Sequence, residues 1–340
     1  MSSPMKNVMR WLPGALISVG LIAAILFFVD FRAMGAALRG ANYWLLGAAL
    51  AISFAWLGVR ALVWWTMLRQ RAPFKEVFFS LAEGYLMNNF LPFRLGELGR
   101  AFLLSRKSEL QFIEILPTIV IERAVDLGYS AAILLLALPF VVGGEGSQRI
   151  AFLISGLVIL GLITLYLLAR NRTRALEIFH QLSRRWPAIQ RLGGSFLESF
   201  FEGLAVLNSG WLFARFLFWM TVNWGMASIM YFLIIRAFFP QAQFAWGMFG
   251  LGAAAFGGAI PSLPGAVGTF EGALGGALLL LSGDQSTAFT VALVTRLYNY
   301  LASGILGLIG LAREGQTLSG IYRQLINFRS REKKVESDQA

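Results

Sequence analysis

The sequence predicts an all-α polytopic membrane protein, with about six full spans and two re-entrant helical hairpins in an inverted-topology repeat. Three observations carry that expectation. Of the 340 residues, 57% are hydrophobic and only 14% charged, whereas a soluble domain carries roughly 25% charged residues. So much apolar surface cannot be hidden in one soluble core, and a mean hydropathy of +0.66 fits helices in lipid. The apolar runs are long and unbroken, unlike the alternating segments of about ten residues in a membrane barrel. Finally, one proline-broken, charged motif occurs twice.

The first element is an apolar run over 11–29, preceded by Lys6 and Arg10. Val29-Asp30-Phe31-Arg32 offers no small-residue cleavage site, so the run is expected to stay as a first span. Further full spans are expected at 43–67, 112–142, 150–169, 213–238 and 287–311. The 112–142 span should kink near Pro117. Its first half carries Glu122, Arg123 and Asp126, and its second half is apolar. Two regions are too short to cross. Residues 76–91 lead into the charged stretch 94–107, and residues 245–260 lead past Pro264 into 268–281. Sixteen helical residues rise roughly 24 Å, less than the roughly 30 Å hydrocarbon core. Each pair is therefore expected to be a hairpin whose tip stops at mid-membrane, where protein or a water-filled cavity must surround the open backbone.

The repeated motif marks both hairpin tips. The first copy is Asn88-Asn89-Phe90-Leu91-Pro92-Phe93-Arg94-Leu95-Gly96-Glu97. The second is Ile260-Pro261-Ser262-Leu263-Pro264-Gly265-Ala266-Val267-Gly268-Thr269-Phe270-Glu271. Pro264 lies as far beyond Pro92 as Gly268 lies beyond Gly96, and Arg123 and Arg296 follow Glu97 and Glu271 at nearly equal distances. Paired broken helices in corresponding places are the sequence pointer to a transporter-like site on an internal repeat.

Basic residues set the sidedness. The segment 170–191 holds Arg170, Arg172, Arg174, Arg184, Arg185 and Arg191 against Glu177 alone, and the segment 69–75 holds Arg69, Arg71 and Lys75. The connections 143–149, 239–243 and 282–286 are nearly free of Lys and Arg. Both termini are expected in the cytoplasm, with the two hairpins entering from opposite faces. The domain reading is a single membrane domain over 1–312, repeat halves at 43–142 and 213–311, a cytoplasmic connector over 170–210 and a basic tail over 313–340. The connector is either an amphipathic helix on the inner leaflet or a plain basic linker. Trp11, Tyr43, Trp44, Trp64, Trp65 and Trp211, near span ends, are expected in the interfacial belts.

The chain has no cysteine and one histidine, which excludes disulfides, thiol nucleophiles and His- or Cys-based metal sites. No cofactor or metal is expected. The net charge of +11 reads as topology and contact with anionic lipid rather than nucleic acid. The glycine runs around Gly250, Gly252, Gly257 and Gly258 follow no strand and precede no Gly-Lys-Ser/Thr, so they read as close helix packing and not nucleotide loops.

Charges at membrane depth are costly and need a reason. The candidates are Glu83, Arg94, Glu97, Arg100, Glu122, Arg123, Asp126, Glu271 and Arg296. Their bland role is ion pairing: Glu97 with Arg123, Glu271 with Arg296, and Glu122 or Asp126 with another Arg. Their sharper role is anion binding. A half-helix starting after Pro92 or Pro264 points free N–H groups and its positive end at a ligand. Gly96, Gly265 and Gly268 would let backbone approach that ligand, and Arg94, Arg123 and Arg296 could clamp a phosphate. Glu97 and Glu271 either hold those arginines or exchange a proton. Asn88, Asn89, Asn223 and Asn299 read as interhelical hydrogen bonds before ligand contacts. Arg60, inside the second span, pairs with an acid or snorkels and stays unassigned.

These residues resemble the lysylphosphatidylglycerol synthase transmembrane-region family, the UPF0104-type flippase-like domain. The likeness rests on Asn89-x-Leu91-Pro92-x-Arg94-x-Gly96-Glu97, then Glu122-Arg123-x-x-Asp126, then Pro261-x-x-Pro264-Gly265-x-x-Gly268-x-x-Glu271, then Arg296. It implies movement of a lipid with a polar or charged head between leaflets. Membrane lipids are the implied partners, with an anionic phospholipid or polyprenyl-phosphate head meeting Asn89, Arg94, Gly96, Glu97, Arg123, Gly265, Gly268, Glu271 and Arg296, and with Glu122 and Asp126 as supporting ion pairs. A separate lipid-modifying enzyme is a candidate partner. The resemblance does not imply lipid aminoacylation, which belongs to a separate soluble domain in the bifunctional members, so the chain is expected not to be an enzyme. Two other functions fit the same residues: an intramembrane enzyme acting on polyprenyl-phosphate or phospholipid heads, and a transporter of an anionic solute.

Overall fold

The computed structural model describes residues 30–91, 94–142, 210–260 and 264–316, with isolated positions besides. The spans expected at 11–29 and 150–169, most of the connector and the end of the tail lie outside the described residues, as do Pro92 and Pro261. Within them all regular structure is helical, as expected of an all-α polytopic membrane protein.

Local chemistry sets the helix ends. The first helix, α1 (Phe31–Gly40), was not anticipated. Asp30 caps it, its Oδ1 accepting from the Arg32 N–H at 2.7 Å. Asn42 caps α2 (Tyr43–Met67) in the same way, accepting from Trp44 and Leu45 at 3.1 and 3.3 Å. A turn with Arg69 and Gln70 at positive φ leads to Pro73, which starts α3 (Phe74–Phe90). Then come α4 (Leu95–Lys107) and α5 (Phe112–Val142). α5 contains both Pro117 and Pro139 without a break in helix, so Pro117 does not divide it. The second half consists of α6 (Gly210–Phe238), α7 (Phe244–Ala259), a short 3-10 turn (Pro264–Ala266), α8 (Thr269–Ser282) and α9 (Gln285–Arg313).

Among the described residues five stretches are long and apolar enough to cross a membrane: Tyr43–Met67, Phe112–Val141, Gly210–Phe238, Pro264–Ser282 and Gln285–Arg313. The fourth is shorter than its length suggests. Gly265, Ala266 and Gly268 have φ of 70°, 54° and 89°, so continuous helix begins only at Thr269. Fourteen helical residues rise about 21 Å, so α8 fits half of a hairpin better than a crossing.

The packing is two-fold. Exchange α2 with α6, α3 with α7, α4 with α8 and α5 with α9. The α2–α6 contact then maps onto itself, α3–α9 onto α7–α5, α3–α4 onto α7–α8, α4–α5 onto α8–α9 and α2–α3 onto α6–α7, and all of these pairs pack. The hairpin of each half therefore leans on the last helix of the other half.

Atomic contacts refine the register. A methyl group on Gly84 would press on the Gly96 carbonyl and Arg100 Cβ; one on Gly257 would press on the Thr269 carbonyl and Ala273 Cβ. These matched positions lie one residue further apart than Pro92 and Pro264, so in the second copy the proline falls one residue earlier within a segment of equal length. The longer spacing also makes Arg123 equivalent to Arg296, and Asp126 to Asn299. Small residues thus close both hairpins, as membrane helix packing without a hydrophobic drive requires. Gly252 does the same against Leu134 of α5.

Tyr43, Trp44 and Trp211 are exposed, as interfacial aromatics should be. Trp64 is not. It is fully buried, its Nε1 donates to Thr118 Oγ1 at 3.1 Å, and Arg100 lies over its ring at 4.6 Å. Trp65 is half-buried and donates to the Ala72 carbonyl at 2.8 Å. The α2 end that carries both is covered by α3 and α5, so hydropathy alone misplaced them.

Candidate functional site

The two breaks meet. A methyl group on Gly265, in the second break, would lie 3.1 Å from the carbonyl oxygen of Asn89, at the end of α3. A cavity of about 510 Å³ lies there, between the halves. Arg94, Glu97 and Arg123 line it from the first half, and Gly265, Arg296 and Asn299 from the second. Asn88 and Asn89 line it too, and Trp56, Tyr85, Tyr231, Phe270 and Tyr300 form its aromatic wall.

Arg94 opens α4 in the left-handed region, at φ 52°. Ala266 in the second break has nearly the same conformation, at φ 54°. Arg94 Nη2 donates to the Gly258 carbonyl at 2.8 Å, placing a cation at the C-terminal end of α7. It thereby ties the first break to the second half. Its side chain remains 47% exposed, and its nearest acid, Glu97, is 3.8 Å away.

Arg123 belongs to a larger cluster. Its Nη2 donates to Glu122 Oε1 at 2.9 Å and pairs with Asp126 at 3.2 Å, and its Nε lies 3.5 Å from Glu97. Arg60 on α2 completes it. Nη1 donates to Asp126 Oδ1 at 2.8 Å, and Nη2 contacts both Glu122 and Asp126. Arg100 adds a third cation 3.2 Å from Glu122. The indole of Trp224, on α6, donates to Asp126 at 3.2 Å. Three arginines and three acids so lock α2, α4 and α5 around the first break, with Arg60, Arg100 and Glu122 out of reach of solvent.

Among the described residues the break of the second half has a single pair. Glu271 receives Arg296 Nε at 2.7 Å and Nη2 at 2.9 Å. The same guanidinium donates to the carbonyls of Gly265 and Ala266. It lies over the Phe270 ring at 4.4 Å. Four of its five N–H groups are engaged, so Arg296 staples the break and offers one donor to the cavity.

The glycines and half-helix ends are more occupied than the sequence suggested. Gly96 does not line the cavity: a side chain there would overlap Gly84, and its N–H donates to Asn88 Oδ1 at 2.9 Å. Gly268 is likewise off the lining, its N–H donating to Glu271 Oε2 at 2.8 Å. Each break has therefore satisfied one of its N–H groups internally, and Gly96 and Gly268 serve chain geometry. Glu271, Glu122 and Asp126 also lie behind the lining, where they hold arginines. Asn89 lines the cavity while its Nδ2 donates to Ser303 Oγ at 2.9 Å, across the halves.

Arg60 and the aromatic wall had no assigned role in the sequence. A lone Arg in the middle of an apolar helix was the signal for Arg60. The wall left none, because aromatic residues are common along every span.

Three arginines and one glutamate on the lining leave an excess of two positive charges, which favours an anion. No group of three or more His, Cys, Asp or Glu arranged to hold a metal ion occurs among the described residues.

Fold and site together define a polytopic all-helical membrane protein with a charged cavity between two broken-helix halves. The chain belongs to the family of the lysylphosphatidylglycerol synthase TM region, which matches residues 14–307. It is also similar to a UPF0104 membrane protein of Methanothermobacter thermautotrophicus, at 24% identity over 308 residues, covering 86% of this chain and 90% of that one. No solved structure matches.

Proposed function

We propose that this protein moves lipids with an anionic polar head between the two leaflets of a bacterial inner membrane, with both termini on the cytoplasmic side. The observation that carries the proposal is the cavity where the two breaks meet, with Arg94, Arg123 and Arg296 on its wall. Its volume of about 510 Å³ is in the range of roughly 300–1,000 Å³ that takes a small ligand. A phosphate-bearing head group enters it while the acyl tails stay in the bilayer. Arg94 makes first contact, because it is the most exposed of the three, and its bond to the Gly258 carbonyl is exchangeable for one to phosphate. Movement of one half against the other then presents the head to the opposite leaflet. Membership of the lysylphosphatidylglycerol synthase TM region family agrees with a lipid-related role. We expect transport without chemistry on the lipid.

Reconstitution with fluorescent phospholipids tests this. Dithionite added outside should bleach inner-leaflet label faster in proteoliposomes than in empty liposomes, and most strongly for lipids with net-negative heads. Equal rates across several lipid classes would refute it. Lipid mass spectrometry after overexpression separates transport from chemistry, because a new lipid species appears only if the protein is an enzyme.

A further inference from the structure

We propose that Glu83 is a proton-binding site whose occupancy sets how firmly the α3–α4 hairpin holds the end of α9. Glu83 sits in the middle of α3, fully buried and off the cavity lining. Its Oε2 accepts from Lys107 Nζ at 2.9 Å, at the last turn of α4. The same ammonium donates to Ser80 Oγ at 3.3 Å and pairs with Glu314, which follows α9. An ammonium has three N–H donors, so Lys107 has none left. Glu83 Oε1 is buried and has no partner. Gly310 of α9 closes over that oxygen so tightly that a methyl group there would press on it.

The charges facing Glu83 are few. α4 contributes Lys107 and the end of α9 contributes Glu314. Nearby Glu76 and Arg313 face each other at 3.9 Å. α2, which also packs on α3, brings only Arg60, which is committed to Glu122 and Asp126. Two carboxylates therefore share one ammonium, leaving one uncompensated negative charge where a buried, unpaired charge is costly. One proton from water, forming one O–H bond at Oε1, brings the set from −1 to neutral and removes the charge from the buried carboxylate. Loss of that proton returns a second negative charge to compete with Glu314 for Lys107, and weakens the tie between the first-half hairpin and α9. Lys107 and Glu314 are 13% and 21% exposed, so the proton exchanges at their end of the helices.

Proton binding stands independently of the transport reading; its coupling to lipid movement rests on that reading. Infrared difference spectroscopy of the full chain in nanodiscs, titrated across about pH 4–9, should show a protonated-carboxyl band that is missing in Glu83→Gln. Glu314→Gln should lower its midpoint by about one pH unit, and Lys107→Met should raise it by at least as much. A titrating band that survives in Glu83→Gln overturns the proposal. So do midpoints that fail to move in opposite directions in the other two variants, a comparison that holds even if Glu83→Gln does not fold. In proteoliposomes an imposed pH gradient should speed lipid movement by the parent protein and not by Glu83→Gln. A parent that moves no lipid at all sinks the transport reading, and leaves the infrared result to decide the proton site.

Discussion

Replacing Arg296 by lysine keeps the charge and removes the geometry. The arginine makes two bonds to Glu271 and one each to the carbonyls of Gly265 and Ala266. Its side chain is 12% exposed and that of Glu271 7%, so solvent screening is slight. A lysine presents all its donors from one atom and reaches at most two of the four acceptors. Hydrogen bonds to charged groups contribute about 1.5–3 kcal/mol each, so losing two costs about 3–6 kcal/mol before relaxation. At roughly 2–4 °C per kcal/mol for chains of 150–250 residues, and about half that for a longer chain, Arg296→Lys should melt at least about 3 °C below the parent. Tryptophan fluorescence during heating in detergent reads this directly. Glu271→Gln should cost a similar amount, and the double variant should cost clearly less than the sum, because both changes break the same bonds. A melting point for Arg296→Lys within about 1 °C of the parent's, or strictly additive losses, would refute the staple.

Three further outcomes are expected. Arg94→Ala and Arg94→Gly should each cut lipid translocation at least tenfold, yet the glycine variant should be the more stable by about 1 kcal/mol, because position 94 sits at φ 52°; translocation within twofold of the parent's removes Arg94 from the site. Gly96→Ala should give no monodisperse protein on size exclusion, since the methyl overlaps Gly84, whereas Gly276→Ala has open space and should be neutral or up to about 1 kcal/mol stabilising. Asp126→Asn takes one of the two acids from buried Arg60, while Glu122 still holds it; the expected loss is about 2–3 kcal/mol, measured by the same fluorescence melt.

Much of the scaffold was legible because hydropathy and proline placement are local signals. The helices at 43–67 and 112–142 begin and end where the apolar runs do, and the hairpin turns fall at the two motifs. The meeting of Arg94, Arg123 and Arg296 on one cavity followed from treating the motif copies as equivalent. What a side chain does once there was not legible. Arg296 turns toward Glu271 and the carbonyls of Gly265 and Ala266, and that depends on the positive-φ backbone of the second break. Trp64 and Arg60 depend on how α2 is rotated against α5, and nothing in the 43–67 stretch states that rotation. α1 escaped notice because ten residues with mixed polarity look like a connection until Asp30 is read as a cap. Glu83 was visible as a costly charge, but its partners come from residues as distant as Lys107 and Glu314.

The halves match in shape and differ in charge. Among the described residues, Arg60, Glu97, Arg100, Glu122, Arg123 and Asp126 bind one another in the first, against the Arg296–Glu271 pair in the second. A seesaw with one weighted end has a preferred tilt. Swapping the roles of the two halves does not return this molecule to the same energy, so the alternating movement proposed above would leave its two facing forms unequally populated even in a symmetric bilayer without any gradient. Under that proposal the resting orientation would be written into the chain before a passenger arrives.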